Sequence, residues 1–246
     1  MEMGLLIFVF GLIIGSLINC FVYRLNETNL KSFLIGRSYC PQCKKKLRWY
    51  DNIPLISFVL LKGRCRFCHK QISIHYPLVE LTCGLVSVVV YFTFKGNLEV
   101  LLLNLIISYV LIALFVSDLR YMTVPDHLTY PAIFFLFLFL LIKGEWHAIL
   151  SGLGVALFFY ILILITRFKG MGLGDIKLGL LIGLFLGFPK TIVALYLAFL
   201  TGAILGVILV LTRKKRFKSK IPFGPFLVLA TFISLFFGEK IWQLFW

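Results

Sequence analysis

Lys169-Gly170-Met171-Gly172-Leu173-Gly174-Asp175-Ile176-Lys177 stands between two apolar runs, residues 148–166 and 176–188. Its aspartate falls where a membrane-spanning segment should begin. An ionisable group is costly at such a place and marks a functional site by default. A second aspartate occupies the corresponding place at the end of an upstream run, in Ser117-Asp118-Leu119-Arg120, with Val124-Pro125-Asp126 just beyond. Asp118 and Asp175 are therefore expected to meet at one face of a membrane and to share one task. The rest of the chain then places these two groups or brings a substrate to them.

Working outward, the apolar runs recur along most of the 246 residues, of which 61% are hydrophobic and only 14% charged, with a mean hydropathy of +1.00. A soluble globular domain lies far from such values. The expected fold is an all-α integral membrane protein with about eight transmembrane helices. The spans read as 4–22, 77–94, 98–117, 127–142, 148–166, 176–188, 191–212 and 222–238. The sixth is short for a full crossing. The first lacks the basic start and small-residue cleavage site of a signal peptide.

The formal net charge of +15 does not call for nucleic acid as a partner, because the basic residues fall in the loops between spans. Membrane topology alone produces that pattern. One set of loops holds twenty-one lysines and arginines, including Arg24, Lys44, Lys45, Lys46, Arg48, Arg64, Arg120, Lys177 and the tract 213–220. The other set holds only Lys95, Lys143, Lys190 and Lys240. The rich side is expected to be cytoplasmic, with both termini outside. It also carries Asp118 and Asp175. The tract 213–220 reads as a loop touching anionic headgroups of the membrane lipid.

The expected organisation is a first transmembrane helix (1–23), a soluble loop (24–76) and a polytopic membrane core (77–246). The loop contains Cys40, Cys43, Cys65 and Cys68 as two CxxC pairs separated by 21 residues. Each pair can wrap a tight turn around one metal and supply two thiolates, and two such turns complete a closed tetrahedral zinc site. The prediction is a cytoplasmic, zinc-ribbon-like loop between the first two spans, with a structural zinc as its staple. Nearby Lys44, Lys45, Lys46, Arg64 and Arg66 favour thiolate over thiol. Four reduced, unliganded cysteines are the alternative. Cys20 and Cys83 lie in apolar runs and read as packing residues.

Two carboxylates brought close cannot both ionise easily, so one keeps its proton. The ionised one can take a proton from a water that attacks a peptide carbonyl, while the protonated one polarises that carbonyl and later helps the amine to leave. His69, His75, His127 and His147 are scattered and form no nucleophile–base pair. Gly172 and Gly174 let backbone approach a substrate or helix closely. Asp175 falls in the first turn of the next helix, where the dipole favours negative charge. Taken singly, Asp175 reads equally as the cap of a surface turn, and Asp118 as an interfacial charge before a turn at Pro125. Glu80, at the start of the second span, could pair with a basic residue or contact the substrate or the cysteine loop.

The GLGDIK sequence of 172–177 and the aspartate–proline–aspartate stretch of 118–126 resemble the type IV prepilin peptidases, a family of intramembrane aspartic proteases. The resemblance extends to GSLINCFVYR (15–24), LRWYDNIPL (47–55), IHYPLVEL (74–81) and IPFGP (221–225), in order from the first span to the last. Met171 and Leu173 depart from a pattern that often holds more glycine. The resemblance implies that Asp118 and Asp175 are the catalytic pair and that Asp126 is not one of them. Gly172, Gly174, Lys177 and Glu80 would support the site. The substrate would be a prepilin or pilin-like precursor with a short basic leader, cut after a glycine at the cytoplasmic membrane boundary. Many members then methylate the new N-terminus with S-adenosylmethionine, and the four-cysteine loop marks that bifunctional type. No glycine-rich methyltransferase fold stands out in 24–76, so no residue is assigned to the donor. The implied location is the inner membrane of a bacterial cell, multi-pass, with the active site facing the cytoplasm. The precursors could build pili, a secretion machine or a DNA-uptake apparatus, and nothing in the sequence assigns an oligomeric state.

Two readings from other classes compete. A cation-coupled transporter using both aspartates predicts acidic groups near mid-membrane and repeated halves, whereas these sit at span ends without a repeat. A zinc-anchored assembly scaffold predicts that both aspartates tolerate asparagine.

Overall fold

The computed structural model describes residues 2–27, 38–40, 42–167, 171–212 and 222–245. Lys169, Gly170, the tract 213–220 and Ile221 lie outside the described residues, as do Lys31 and Arg37 among the basic residues counted above and the turn-forming Gly36 and Pro41 of the loop 24–76. Among those described, the chain is helical, without strands. The helices are α1 (Glu2–Glu27), the five-residue α2 (Ile56–Leu60), α3 (His75–Phe94), α4 (Leu98–Tyr121), α5 (Asp126–Lys143), α6 (Trp146–Ile165), α7 (Leu173–Leu186), α8 (Lys190–Leu211) and α9 (Gly224–Phe245).

Seven of these are long and apolar enough to cross a membrane. The eighth long helix, α7, has only 14 residues and extends about 21 Å, short of the roughly 30 Å hydrocarbon layer. Its limits are set by glycines, with Gly172 as the N-cap and Gly187 as the C-cap at φ +65°. The sequence anticipated this short element. It placed the ends of α1, α4 and α9 too early, because the helices run on through the first charged residue after each apolar run, at Arg24, Asp118 and Glu239.

The chain forms two compact units, Met1–Val116 and Ser117–Trp246. In the first, α1 packs along α3. Their backbones come close, since a methyl group on Gly15 would lie 2.7 Å from the Glu80 Cα. Asn19 donates to the Tyr76 carbonyl at 3.0 Å one turn further on. The cysteine loop joins these two helices through a short 3-10 turn (Trp49–Asn52) and α2. In the second unit, α6 packs on α7 and α8 on α9. Phe159, Phe199 and Phe223 pack ring against ring, with centroids 5.0–6.3 Å apart.

Candidate active site

Asp118 lies in the last turn of α4, a helix that continues to Tyr121. Burial leaves it only 8% exposed. A carboxylate in that position needs a donor, and the backbone supplies one. The Gly224 N–H donates to Asp118 Oδ2 at 3.0 Å. Gly224 is the first residue of α9, so a helix N-terminus points its free amide and positive dipole end at the carboxylate. The fit excludes a side chain, since a methyl group on Gly224 would sit 2.5 Å from Asp118 Oδ2.

Asp175 stands in the first turn of α7, and its Oδ2 accepts the Gly172 N–H at 2.9 Å. It therefore caps its own helix from the third position, a capping-box arrangement in which the glycine N-cap adds no side chain. The alternative of Asp175 as the N-cap itself is not met, since Gly172 holds that position, and the cap contact uses one of the carboxylate's two oxygens. Asp118 lies beside α7, because a methyl group on Gly224 would be 2.5 Å from Asp118 Oδ2 and 3.3 Å from Cδ2 of Leu178, one helical turn beyond Asp175. The fold thus brings Asp118 to the helix that carries Asp175, 57 positions further along the chain.

The neighbours divide the remaining tasks. Lys177 pairs with Asp126 at 2.5 Å, and its ammonium lies 4.9 Å from the centre of the Tyr130 ring. This bond joins the first turn of α5 to the second turn of α7. Asp126 is thereby engaged by Lys177, with its side chain 55% exposed. Gly174 lets α7 approach the turn after α4, because a methyl group there would meet Val124 Cγ2 at 2.9 Å. Glu80 belongs to the first unit. It accepts the Leu55 N–H of the cysteine loop at 2.9 Å, so of its possible contacts the structure realises the one to that loop.

The sequence reading missed the Gly224 donor. It noted residues 221–225 but gave them no task. The available signal was a glycine followed by Pro225 just ahead of an apolar run, which is how a helix start is written.

In the first unit the four cysteine sulfurs lie within 4.8 Å of one another. The two CxxC turns repeat each other in detail. Cys40 N–H donates to Lys45 O and Lys44 N–H to Cys40 O, while Cys65 N–H donates to Lys70 O and His69 N–H to Cys65 O. Lys44 and His69 have φ of +58° and +55°. Isolated bridges pair Tyr39 with Lys46 and Arg64 with Gln71. Cys40 Sγ and Cys68 Sγ are 3.9 Å apart, close to the ~3.8 Å edge of a tetrahedron with 2.3 Å zinc–sulfur bonds. The donor set and spacing fit a structural zinc. Burial pushes the Cys65 thiol up, but the backbone amides of Cys68 and Phe67 together with the Cys40 and Cys68 thiols outweigh it and bring the thiol down to about 7.

Comparison with known proteins finds relatives over nearly the whole chain. Residues 9–94 match the bacterial peptidase A24 N-terminal domain, and residues 105–207 match the type IV leader peptidase family. A prepilin leader peptidase/N-methyltransferase of Aeromonas salmonicida is 36% identical over 96% of this chain and 91% of its own length. Proteins of the same name from Pseudomonas putida and Legionella pneumophila are each 31% identical, over 95% and 97% of this chain and 90% and 93% of their own lengths. No solved structure matches the chain. On matches that run from the first helix to the last, this membrane protein belongs to the type IV leader peptidase family.

Proposed function

We propose that this chain is an aspartic endopeptidase that removes the short basic leader of type IV prepilins or pilin-like precursors, cutting after a glycine at the cytoplasmic membrane boundary. One observation carries the reading. Asp118 lies beside α7, the helix whose first turn carries Asp175, and each carboxylate accepts a backbone N–H at a helix start.

The chemistry follows from the pair. One carboxyl works ionised and the other protonated. The ionised one takes a proton from water as the water oxygen attacks the scissile carbonyl carbon. The protonated one gives its proton to the carbonyl oxygen, forming a tetrahedral intermediate. As the carbon–nitrogen bond breaks, the departing amine receives the proton that came from water, and a hydroxyl of the intermediate returns its proton to the carboxylate that gave it. The leader gains the hydroxyl and the mature protein gains the hydrogen. The Gly224 and Gly172 amides keep both carboxylates in register, so little reorganisation accompanies the reaction. Lys177, bonded to Asp126, fixes the start of α7 against α5. Gly172 leaves room for an extended substrate strand along the turn before α7, where a methyl group would meet nothing closer than 3.9 Å.

The relatives' name supports a second activity, methylation of the new N-terminal amine with S-adenosylmethionine as the donor. Among the described residues of the cysteine loop there are only short helices and isolated bridges. This is not a nucleotide-binding strand–helix unit, and no residue is assigned to the donor. Cys40, Cys43, Cys65 and Cys68 would hold zinc. With four thiolates the metal has no open position and serves as a staple rather than a reagent. The charge asymmetry of the loops supports an inner-membrane protein whose aspartates face the cytoplasm, where a basic leader would wait.

Co-expression with a candidate prepilin tests the reading, with the product's N-terminus determined by mass spectrometry. Wild type should yield leader-free product carrying one added methyl mass, and Asp175→Asn should leave the precursor whole. Leader-free product from Asp175→Asn would sink the dyad. A cleaved but unmethylated product would remove only the second activity.

A further inference from the structure

The short helix α2 carries Ile56, Val59 and Leu60 at the spacing of a single helical stripe. They are 58%, 71% and 76% exposed. Three aliphatic side chains so open to water on five residues are unusual in a loop that is otherwise basic.

Two contacts fix where this stripe sits. The Leu55 N–H, immediately before α2, donates to Glu80 Oε2 at 2.9 Å. Glu80 lies five residues into α3, roughly 7 Å along its axis. α3 has 20 residues, about the 30 Å needed to cross the hydrocarbon layer and no more. The bond to Glu80 therefore draws the start of α2 down to the polar–apolar boundary of the membrane. Leu55 is held there at φ +57° and ψ −49°, a conformation that leucine adopts only where its surroundings impose it.

The rim of the stripe is cationic. Leu60 and Leu61 share one shallow depression with Lys62, Arg64 and Arg66. Arg66 is already paired with Asp51 at 2.9 Å. The 3-10 turn against α2 presents Trp49, 79% exposed, and tryptophan favours headgroup depth.

We infer that α2 is an in-plane membrane anchor. Ile56, Val59 and Leu60 enter the leaflet that α3 crosses, and Lys62 and Arg64 lie against anionic headgroups. The tie to a membrane-spanning helix argues for lipid as the occupant, and so does the sign of the rim charge. The anchor would hold the four-cysteine loop flat on the membrane surface. It depends on neither proposed activity.

The test uses the full chain with Trp49, Trp146, Trp242 and Trp246 replaced by phenylalanine, carrying either Leu60→Trp or Val59→Trp. Helical circular dichroism and metal content establish folding of each variant. The proteins are placed in nanodiscs of phosphatidylethanolamine and phosphatidylglycerol, with and without bromine near the headgroup end of the acyl chains. The expected result is blue-shifted emission, quenched by brominated lipid, shielded from iodide, and less quenched when phosphatidylcholine replaces phosphatidylglycerol. Water-like emission that iodide quenches and brominated lipid leaves alone overturns the inference. Shielding from iodide without lipid quenching, increasing with protein copies per disc, also overturns it and assigns the face to a second copy.

Discussion

Replacing Gly224 by alanine puts a methyl carbon 2.5 Å from Asp118 Oδ2, 3.1 Å from its Cγ and 3.3 Å from Leu178 Cδ2. Something must move by about 1 Å to restore ordinary contact distances. Leu178 is fully buried, so the movement falls on the Asp118 carboxylate or on the start of α9. A misplacement of that size near reacting atoms costs on the order of 10²-fold in rate. It also stretches the 3.0 Å N–H···O bond, whose charged acceptor makes it worth about 1.5–3 kcal/mol. Gly224→Ala should therefore lower kcat/KM for precursor cleavage by roughly 10²- to 10³-fold. The assay is cleavage of a purified precursor by the purified protein in nanodiscs. Gly154→Ala serves as the control, because a methyl group there meets nothing within 4 Å. That variant should cleave at the wild-type rate and unfold no earlier. Wild-type kcat/KM in Gly224→Ala would refute the idea that the α9 amide holds Asp118.

Four further outcomes follow from the same geometry. Asp126→Asn should keep cleavage within a few-fold of wild type and cost about 0–1 kcal/mol in thermal stability, because Asp126 joins Lys177 in an exposed ion pair. Abolished cleavage would place Asp126 among the reacting groups. Cys40→Ser with Cys43→Ser should lower the zinc content measured by mass spectrometry and open the loop to protease. A wild type free of metal would remove the staple. Zinc should also leave the wild type as pH falls, because protons compete for the thiolates that the metal requires. Glu80→Ala should speed proteolysis of the cysteine loop, whereas Glu80→Gln, which still offers an acceptor to the Leu55 N–H, should not. Equal protection in all three proteins would show that the hydrogen bond to Leu55 does not hold the loop.

The parts of this molecule that could be read from sequence are those set by the bilayer and by side-chain chemistry. A hydrocarbon layer demands long apolar runs, so the spans stood out, and even the shortness of α7 was legible between its glycines. Thiolate spacing gave the four-cysteine cluster, because a CxxC turn is a local object. Helix ends were harder. Apolarity stops at a charge, but backbone hydrogen bonding does not, so Asp118 lies within α4 rather than at its limit. The Gly224 donor was hidden for a different reason. It is a main-chain group brought to Asp118 from 106 residues away, and no side-chain pattern announces it. Likewise, the tie between Glu80 and Leu55 joins a side chain to an amide, and only the folded loop reveals which of Glu80's possible partners it takes.

The central claim is that Asp118 and Asp175 act as one unit. Single-turnover cleavage rates of Asp118→Asn, Asp175→Asn and the double variant, measured on one purified precursor, test it most directly. Groups that share one reaction are grossly non-additive. Each single variant should lose nearly all activity, and the double variant should be no slower than the slower single. Should either single variant cut at close to the wild-type rate, or should the two losses multiply in the double variant, the paired-carboxylate account is contradicted.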